Sequence, residues 1–533
     1  MMTSESQDFL REYPLVKMFK YGDDVLFYDA KAHLAFLMSP IEKNVLFDFL
    51  NNCPVAIINE KYGEQLSGAK LQTLLSKFQS LKNAGVFSKG PAAEISPVQR
   101  GALMAQLEYY NENILLRKFC LEVTQNCNFA CRYCRRTLAA QKGEASQLNM
   151  SEEIAYKGIQ YYFDKYTALF QKLTEEKKML LLATIPPTLS WYGGEPFLNF
   201  ELIRKSAAYF KSLPWDKYDI PVTALAFTAN TNLSIMNDEI LNFLVDNNVT
   251  LFTSMDGPQA EHDKCRVFPD GSGTFTLAYQ NLMKIKDFSP SYLQNKVTIF
   301  GVYTAEHDYN KCVDFTAKLG TLACQHFSVD YDGTFIYDIK AESNYYEKEL
   351  STNLANFEKM VAAVKDDAAS HMNNFANIFP FAKLHTNHPV GKDCLNIMLT
   401  CPMGFDNLML AANGDYLICH KVSGTLPIGN CETGLDFQKL LDFYQKYNSA
   451  INNATCLSCW NVNFCTICAA ARLDGDHFIN PSKQECDCFR LRTEYDFNCF
   501  IQLARKHPDL LTKIFAYRND RKNYIGVVDI NEF

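Results

Sequence analysis

The chain has 533 residues, enough for about three domains. Its 47% hydrophobic content is that of an ordinary soluble protein, and its net charge of −8 argues against a nucleic-acid partner. No apolar run is long enough to span a bilayer, so no membrane association is expected. The acidic start, Met1 to Asp8, lacks the layout of a signal peptide, so a cytoplasmic location is expected. In that reducing setting, 19 cysteines read as metal ligands rather than as disulfides.

Residues 1–110 read as a separate small domain. Val16 to Tyr21, Val25 to Tyr28 and Leu34 to Leu37 have the composition of short strands joined by polar turns. Ser39-Pro40-Ile41-Glu42 then opens a helix to about Asn51, with Pro40 in its first turn and Glu42 in a capping position. A second helix from Gly68 to Asn83 carries Leu71, Leu74, Leu75, Phe78 and Leu81 at helical spacing.

From 111 to 335 the pattern alternates. Strands are expected at 119–125, 187–192, 222–229, 249–255, 296–304 and 324–330. Helices are expected at 151–168, 199–212, 237–247, 274–286 and 309–319. Such alternation predicts an α/β fold with a parallel sheet and right-handed crossovers. The Lys/Glu-rich part of 168–184 reads as a solvated extension of the first crossover. Residues 336–393 read as a helical connector, 394–490 as a cysteine-rich domain, and 491–533 as an extension with a helix near 494–506.

Chemistry enters at Cys127-Asn-Phe-Ala-Cys131-Arg-Tyr-Cys134, directly after the strand at 119–125. Three thiolates at this spacing can hold three irons of a [4Fe-4S] cluster and leave the fourth iron open to an outside ligand. A structural zinc site would want a fourth Cys or His nearby, and no other lies between Glu122 and Gln171. The spacing, with Tyr133 before the last cysteine, resembles the signature of the radical S-adenosylmethionine (SAM) enzymes. The resemblance implies an open, partial (β/α)6 barrel and makes Cys127, Cys131 and Cys134 the catalytic cluster ligands.

Further motifs fall where that pattern would put them. Trp191-Tyr192-Gly193-Gly194-Glu195-Pro196 ends the second strand, and its glycines allow close backbone approach to a ligand. Thr231-Asn232 closes the third strand, where the family has Thr-Asn-Gly; the third residue here is Leu233. Ser254-Met255-Asp256-Gly257-Pro258 closes the fourth, followed by His262-Asp263-Lys264-Cys265-Arg266. By resemblance, Tyr133, Gly193, Gly194, Glu195, Asn232, Ser254 and Arg266 contact S-adenosyl-L-methionine. The Glu195 carboxylate would accept from its ammonium and Arg266 would pair with its carboxylate. Thr304 is a candidate for the adenine end, and His262 reads as structural. Asp330 and Asp332, after the last strand, are candidates for proton removal.

The carboxy-terminal array runs Cys401-x12-Gly414-x4-Cys419, then Cys456-x2-Cys459-x5-Cys465-x2-Cys468, then Cys486. It resembles the SPASM domain of peptide-modifying radical SAM enzymes, with zinc binding as the alternative; the family has x3 where x2 precedes Cys468 here. The resemblance implies two auxiliary clusters and hence three [4Fe-4S] clusters in all. The first would take Cys401, Cys419 and Cys468, with Cys394 as its fourth ligand; without Cys394, or Cys488 in its place, its open iron could bind a substrate thiolate. The second would take Cys456, Cys459, Cys465 and Cys486. The three strands and helices of residues 1–110 resemble the winged-helix domain that recognises leader peptides, the alternative being a cap on the barrel.

Taken together, the resemblance implies a peptide maturase. It would cleave SAM to a 5′-deoxyadenosyl radical and install a thioether, carbon–carbon or carbon–oxygen crosslink in a ribosomally made precursor peptide bound through its leader. An electron donor such as flavodoxin or ferredoxin would supply the reducing electron. A formylglycine-forming, sulfatase-maturing enzyme is the enzymatic alternative, and a non-catalytic iron–sulfur peptide binder the alternative of another class.

Overall fold

The structure is a computed structural model that describes residues 12–21, 23–32, 34–90, 100–141, 143, 147–304, 306–328, 403–420, 422, 426–451, 454–465 and 467–506. Cys394, Cys401, Asp330, Asp332, the connector at 336–393 and the chain end beyond 506 lie outside the described residues.

The amino-terminal part forms an antiparallel meander, β1 (Val16–Tyr21), β2 (Asp24–Asp29) and β3 (Leu34–Met38). The helix Pro40–Leu50 follows, and Ser39 and Glu42 form a capping box at its start. The helix Gly68–Asn83 lies where its periodicity puts it, and Leu71, Leu75 and Phe78 face inward. Two helices escaped the sequence reading, Val55–Tyr62 and Arg100–Asn113. One face of the meander closes its own core around Phe27, Val45, Leu46 and Phe78. The other face packs Phe19 and Tyr28 against Trp460, Phe464 and Phe497 of the cysteine-rich region. Phe19 stacks on Phe497 with ring centres 4.4 Å apart.

Six parallel strands form the centre: β4 (Lys118–Thr124), β5 (Thr188–Gly193), β6 (Ala226–Thr231), β7 (Thr250–Ser254), β8 (Val297–Tyr303) and β9 (Ala323–Ser328). Their order in the sheet follows the chain, as right-handed crossovers dictate. Buried on both faces, the strands are rich in apolar residues. Trp191 turns outward onto Phe227 and donates to Ser206 Oγ at 2.9 Å, while its neighbour Tyr192 turns to the opposite face. The expected strand at 222–229 is shifted: Val222–Ala224 is a 3-10 turn after Pro221, and pairing starts when the Ala226 N–H reaches the Pro187 carbonyl.

Two short strands extend the sheet past β4. β10 (Asn407–Leu410) runs parallel to β4, and β11 (Tyr416–Leu417) pairs with it antiparallel. The buried Glu122 carboxylate accepts from Ala412 N–H at 3.1 Å, and Arg117 pairs with Asp406, so charge locks this return in place.

Two sequence expectations change. The stretch 168–184 is no simple solvated extension: the helix Glu175–Thr184 buries Leu181 fully, and Lys178 lies inside beside Glu175 because both inward residues share one face. The last helix begins at Lys483 rather than near 494, where Ser482 and Glu485 exchange cap hydrogen bonds. No helix among the described residues is long and apolar enough to cross a membrane.

Candidate functional site

The loop carrying Cys127, Cys131 and Cys134 leaves the carboxyl end of β4 and is fastened on two sides. On one side Gly194 N–H donates to Thr124 O at 2.9 Å and Glu195 N–H to Asn126 O at 2.8 Å. On the other, Ala130 N–H donates to Val267 O at 2.8 Å and Arg132 N–H to Cys265 O at 2.9 Å. The glycine pair serves this fastening: a Cβ on Gly193 would lie 2.1 Å from Thr124 O, and one on Gly194 2.0 Å from Asn126 O. The glycine pair thus lets β5 approach the cysteine loop closely.

The three thiols sense one another. Burial pushes Cys131 up to about 12; Cys134 and Cys127 push it further, against the pull of Arg266. Burial likewise lifts Cys127 to about 11. Cys127 is nonetheless exposed. Asn232 Nδ2 lies 3.7 Å from Cys127 Sγ and donates to it. Thiols need to ionise to bind iron, so an incoming positive cluster matches these sites chemically. No three His, Cys, Asp or Glu among the described residues converge tightly enough to hold a metal ion as they stand.

Two expected SAM contacts have protein partners. The Glu195 carboxylate is fully buried and accepts from Phe197 N–H (3.1 Å), Thr231 Oγ1 (2.9 Å) and Asn232 N–H (2.7 Å). Burial raises its pKa to about 7 against those three bonds. Arg266 directs Nε to Asp256 Oδ2 at 2.9 Å and lies over the Tyr133 ring, 5.4 Å from its centre. Burial opposes the charge of Arg266, but Asp256, Tyr133 and Cys131 outweigh it and hold its pKa above the ordinary value. Asp256 also accepts from the Tyr133 hydroxyl at 2.7 Å and from Val302 N–H at 2.8 Å. Tyr133 is thereby tied down beneath the cysteine loop. Ser254 stands half-buried at the end of β7. Thr304 is buried, its Oγ1 3.0 Å from His307 Nδ1. His262 is structural in its contacts, with Nδ1 accepting from Asp256 N–H and Nε2 facing Thr274 Oγ1 at 3.1 Å.

The sequence reading missed Tyr192. It lies within electrostatic reach of both Cys134 and Cys419, beside Arg136, with its ring centre 5.1 Å from that of His420. Its signal was the period-two alternation of β5, which turns Tyr192 away from the face that Trp191 takes.

In the cysteine-rich region the structure brings four of the singled-out thiols together. Cys456, Cys459, Cys465 and Cys486 wall one cavity of about 50 Å³. One water needs ~10–15 Å³, so the space exceeds that of a single small ligand atom. Burial pushes Cys465 up to about 12, and Cys459, Cys456 and Cys486 add to the shift. Cys419 lies beside Cys120 and Tyr192, and Cys468 heads the short helix Ala469–Arg472. Cys488 is buried. Arg135 Nη1 donates to Ala470 O at 3.2 Å, joining the segment after the first cysteine loop to the segment after Cys468.

No family model matches the chain. The serine-type anaerobic sulfatase-maturating enzyme of Bacteroides thetaiotaomicron is 26% identical over 183 residues, 34% of this chain and 38% of that protein. The cysteine-type anaerobic sulfatase-maturating enzyme of Clostridium novyi is 23% identical over 34% of this chain and 43% of its own length. The radical SAM cyclopropyl synthase TigE of Paramaledivibacter caminithermalis is 22% identical over 386 residues, 70% of this chain and 72% of that protein. The match thus spans less than half of the two sulfatase-maturating relatives. Among solved structures, anSMEcpe with bound AdoMet aligns with 76% of the chain and 98% of its own, at 17% identity and a TM-score of 0.49. Streptococcus suis SuiB bound to the precursor peptide SuiA aligns with 88% and 98%, at 13% identity and a TM-score of 0.40. The chain is homologous to the radical SAM enzymes.

Proposed function

We propose that this chain is a radical SAM peptide maturase that installs a crosslink in a ribosomally made precursor. The observation that carries this reading is the pairing of two thiol sites. A triad is fastened to the carboxyl rim of a parallel sheet, and a separate cavity is walled by four cysteines. The first suits a cluster with one open iron, and the second a closed cluster for electron transfer. Bound there, the clusters and SAM would supply radical hydrogen abstraction and an outlet for the remaining electron.

The chain's own residues give that chemistry its frame. Cys127, Cys131 and Cys134 would hold the first cluster, with Asn232 donating to the Cys127 sulfur. Glu195 fixes the turn after β6 by binding Thr231 and Asn232, and so places Asn232. Asp256 holds Tyr133 and Arg266 together under the loop. Tyr192 lies within reach of both the triad's Cys134 and Cys419 and 5.1 Å from the His420 ring, and this pair would grip a peptide. Burial raises the Tyr192 pKa to about 12, so its hydroxyl stays protonated at neutral pH. Cys419 and Cys468, with Cys394 and Cys401, would hold the other auxiliary cluster, and the meander of residues 16–38 would bind the leader at a sheet edge.

The formylglycine-forming reading is favoured by the 26% identity to a sulfatase-maturating enzyme, but that match covers only 34% of the chain. The TigE match covers 70% of the chain and 72% of that protein, and this greater reach favours a bond-forming maturase. The test is mass spectrometry of short peptides encoded beside this gene, co-expressed with the enzyme or with its Cys127→Ala variant. A loss of two hydrogens per site, absent with the variant, supports a crosslink. Conversion of a Cys or Ser to an aldehyde supports the second reading, and an unchanged mass alongside active SAM cleavage opposes the tested peptides as substrates.

A further inference from the structure

The cavity of four cysteines has a neighbour that its iron–sulfur reading does not use. Arg490 lies in the helix Lys483–Lys506, four residues after Cys486, so both side chains share a face. Its guanidinium lines the cavity, and among the described residues lining it Arg490 is the one cation. It lies within electrostatic reach of both Cys459 and Cys486. Asp487, three residues earlier on the same helix, accepts from Nη1 at 2.5 Å. A planar guanidinium can be held from behind by a carboxylate and still carry its charge towards the sulfurs. As a surface ion pair alone, Arg490 and Asp487 would contribute little. Set beside thiolates, the same group does something else.

We propose that Arg490 is a positioning residue that raises the reduction potential of a cluster held by Cys456, Cys459, Cys465 and Cys486, through the positive charge it places in the wall of their cavity. The proposal rests on the iron–sulfur reading of that cavity. Reduction adds one electron to the cluster. A cation beside the ligand sulfurs favours the more negative state, so it raises the potential. Asp487 pulls the other way, and the pair sets the value between them.

The experiment uses the full-length enzyme, reconstituted anaerobically with iron and sulfide, in a background of Cys127→Ala and Cys419→Ala that removes the signals of the first cluster and of the other auxiliary cluster. Iron and acid-labile sulfide are counted, then the paramagnetic signal is titrated against potential. Arg490→Gln is expected to keep the iron and lower the reduction equilibrium about tenfold, a shift of ~59 mV to more negative potential. Asp487→Asn is expected to shift it the opposite way. Equal potentials in all three proteins at equal iron content would overturn the proposal. Should Arg490→Gln lose iron, Asp487→Asn decides: a raised potential supports the role and an unchanged one overturns it. Failure of the underlying reading shows separately, as a Cys465→Ser variant with undiminished iron.

Discussion

The Tyr133 hydroxyl donates to Asp256 Oδ2 at 2.7 Å, although 123 residues separate the two. One end of this bond lies inside the cysteine motif and the other in the turn after β7. The same carboxylate oxygen accepts from Arg266, so three motifs that are separate in the chain meet at one atom. Asp256 is fully buried, and a buried carboxylate that loses a donor is costly to leave under-satisfied. Tyr133→Phe is therefore expected to destabilise the protein by about 1–3 kcal/mol, as read by urea denaturation. It should also broaden the electron paramagnetic signal of a reconstituted first cluster, because the loop loses its tether. A stability equal to wild type would remove Asp256 as the anchor.

Gly194→Ala tests the second tether. Its Cβ would meet Asn126 O at 2.0 Å, the Asn126 carbonyl carbon at 2.4 Å and Cys127 N at 2.9 Å, all backbone atoms that cannot swing aside. The loop has to move, and Cys127 with it. The expected outcome is a loss of the iron that depends on Cys127, with the circular dichroism of the sheet retained. Full iron content in Gly194→Ala would show that the loop has slack the contacts do not suggest.

Acid should reveal His262. Burial lowers its pKa to about 4 from 6.5, with Arg266 and His307 acting in the same direction and Asp256 against it. Between those values the unfolded chain takes up a proton that the folded protein refuses, so stability is lost as pH falls from about 6.5 towards 4. At ~1.4 kcal/mol per pH unit the loss amounts to roughly 3 kcal/mol. His262→Asn preserves an acceptor for Asp256 N–H but has no proton to gain. The stability difference between wild type and variant should shrink over that window. A difference that stays constant with pH would mean His262 titrates alike in both states.

The sheet was legible because its signal is local. Period-two and period-3.6 patterns placed β4, β5 and β7 to β9 close to their observed bounds, and the capping pair Ser39 and Glu42 marked a helix start. The cysteine spacings likewise singled out the four thiols that share a cavity. What stayed hidden depends on distant partners. The pairing of β10 with β4 joins residues almost 300 apart, and nothing in Asn407–Leu410 announces it. Glu195 and Arg266 were singled out by their motifs, but their protein partners were not legible there: Glu195 binds Thr231 and Asn232, and Arg266 binds Asp256. Arg490 carries no motif at all and acquires its meaning only from the cavity it lines.

Leu233 supplies the last test, because two effects oppose each other there. It occupies the third position of Thr231-Asn232-Leu233 and adopts φ of +61°, a region that side chains other than glycine avoid. The turn is held by Leu233 N–H donating to Thr231 Oγ1 at 3.1 Å and by Asn281 Nδ2 donating to Leu233 O at 2.7 Å. The left-handed backbone costs about 1–2 kcal/mol. The Leu233 side chain, however, is fully buried in the main core, and removing such a group costs about 2–5 kcal/mol. Packing outweighs strain, so Leu233→Gly should be net destabilising by about 1–3 kcal/mol in urea denaturation. Leu233→Ala loses nearly the same packing and keeps the strain, so it should be less stable than Leu233→Gly. In an ordinary buried site the order is the reverse, since glycine is the more costly of the two to order. If alanine proves the more stable, the strain assigned to this turn is not there.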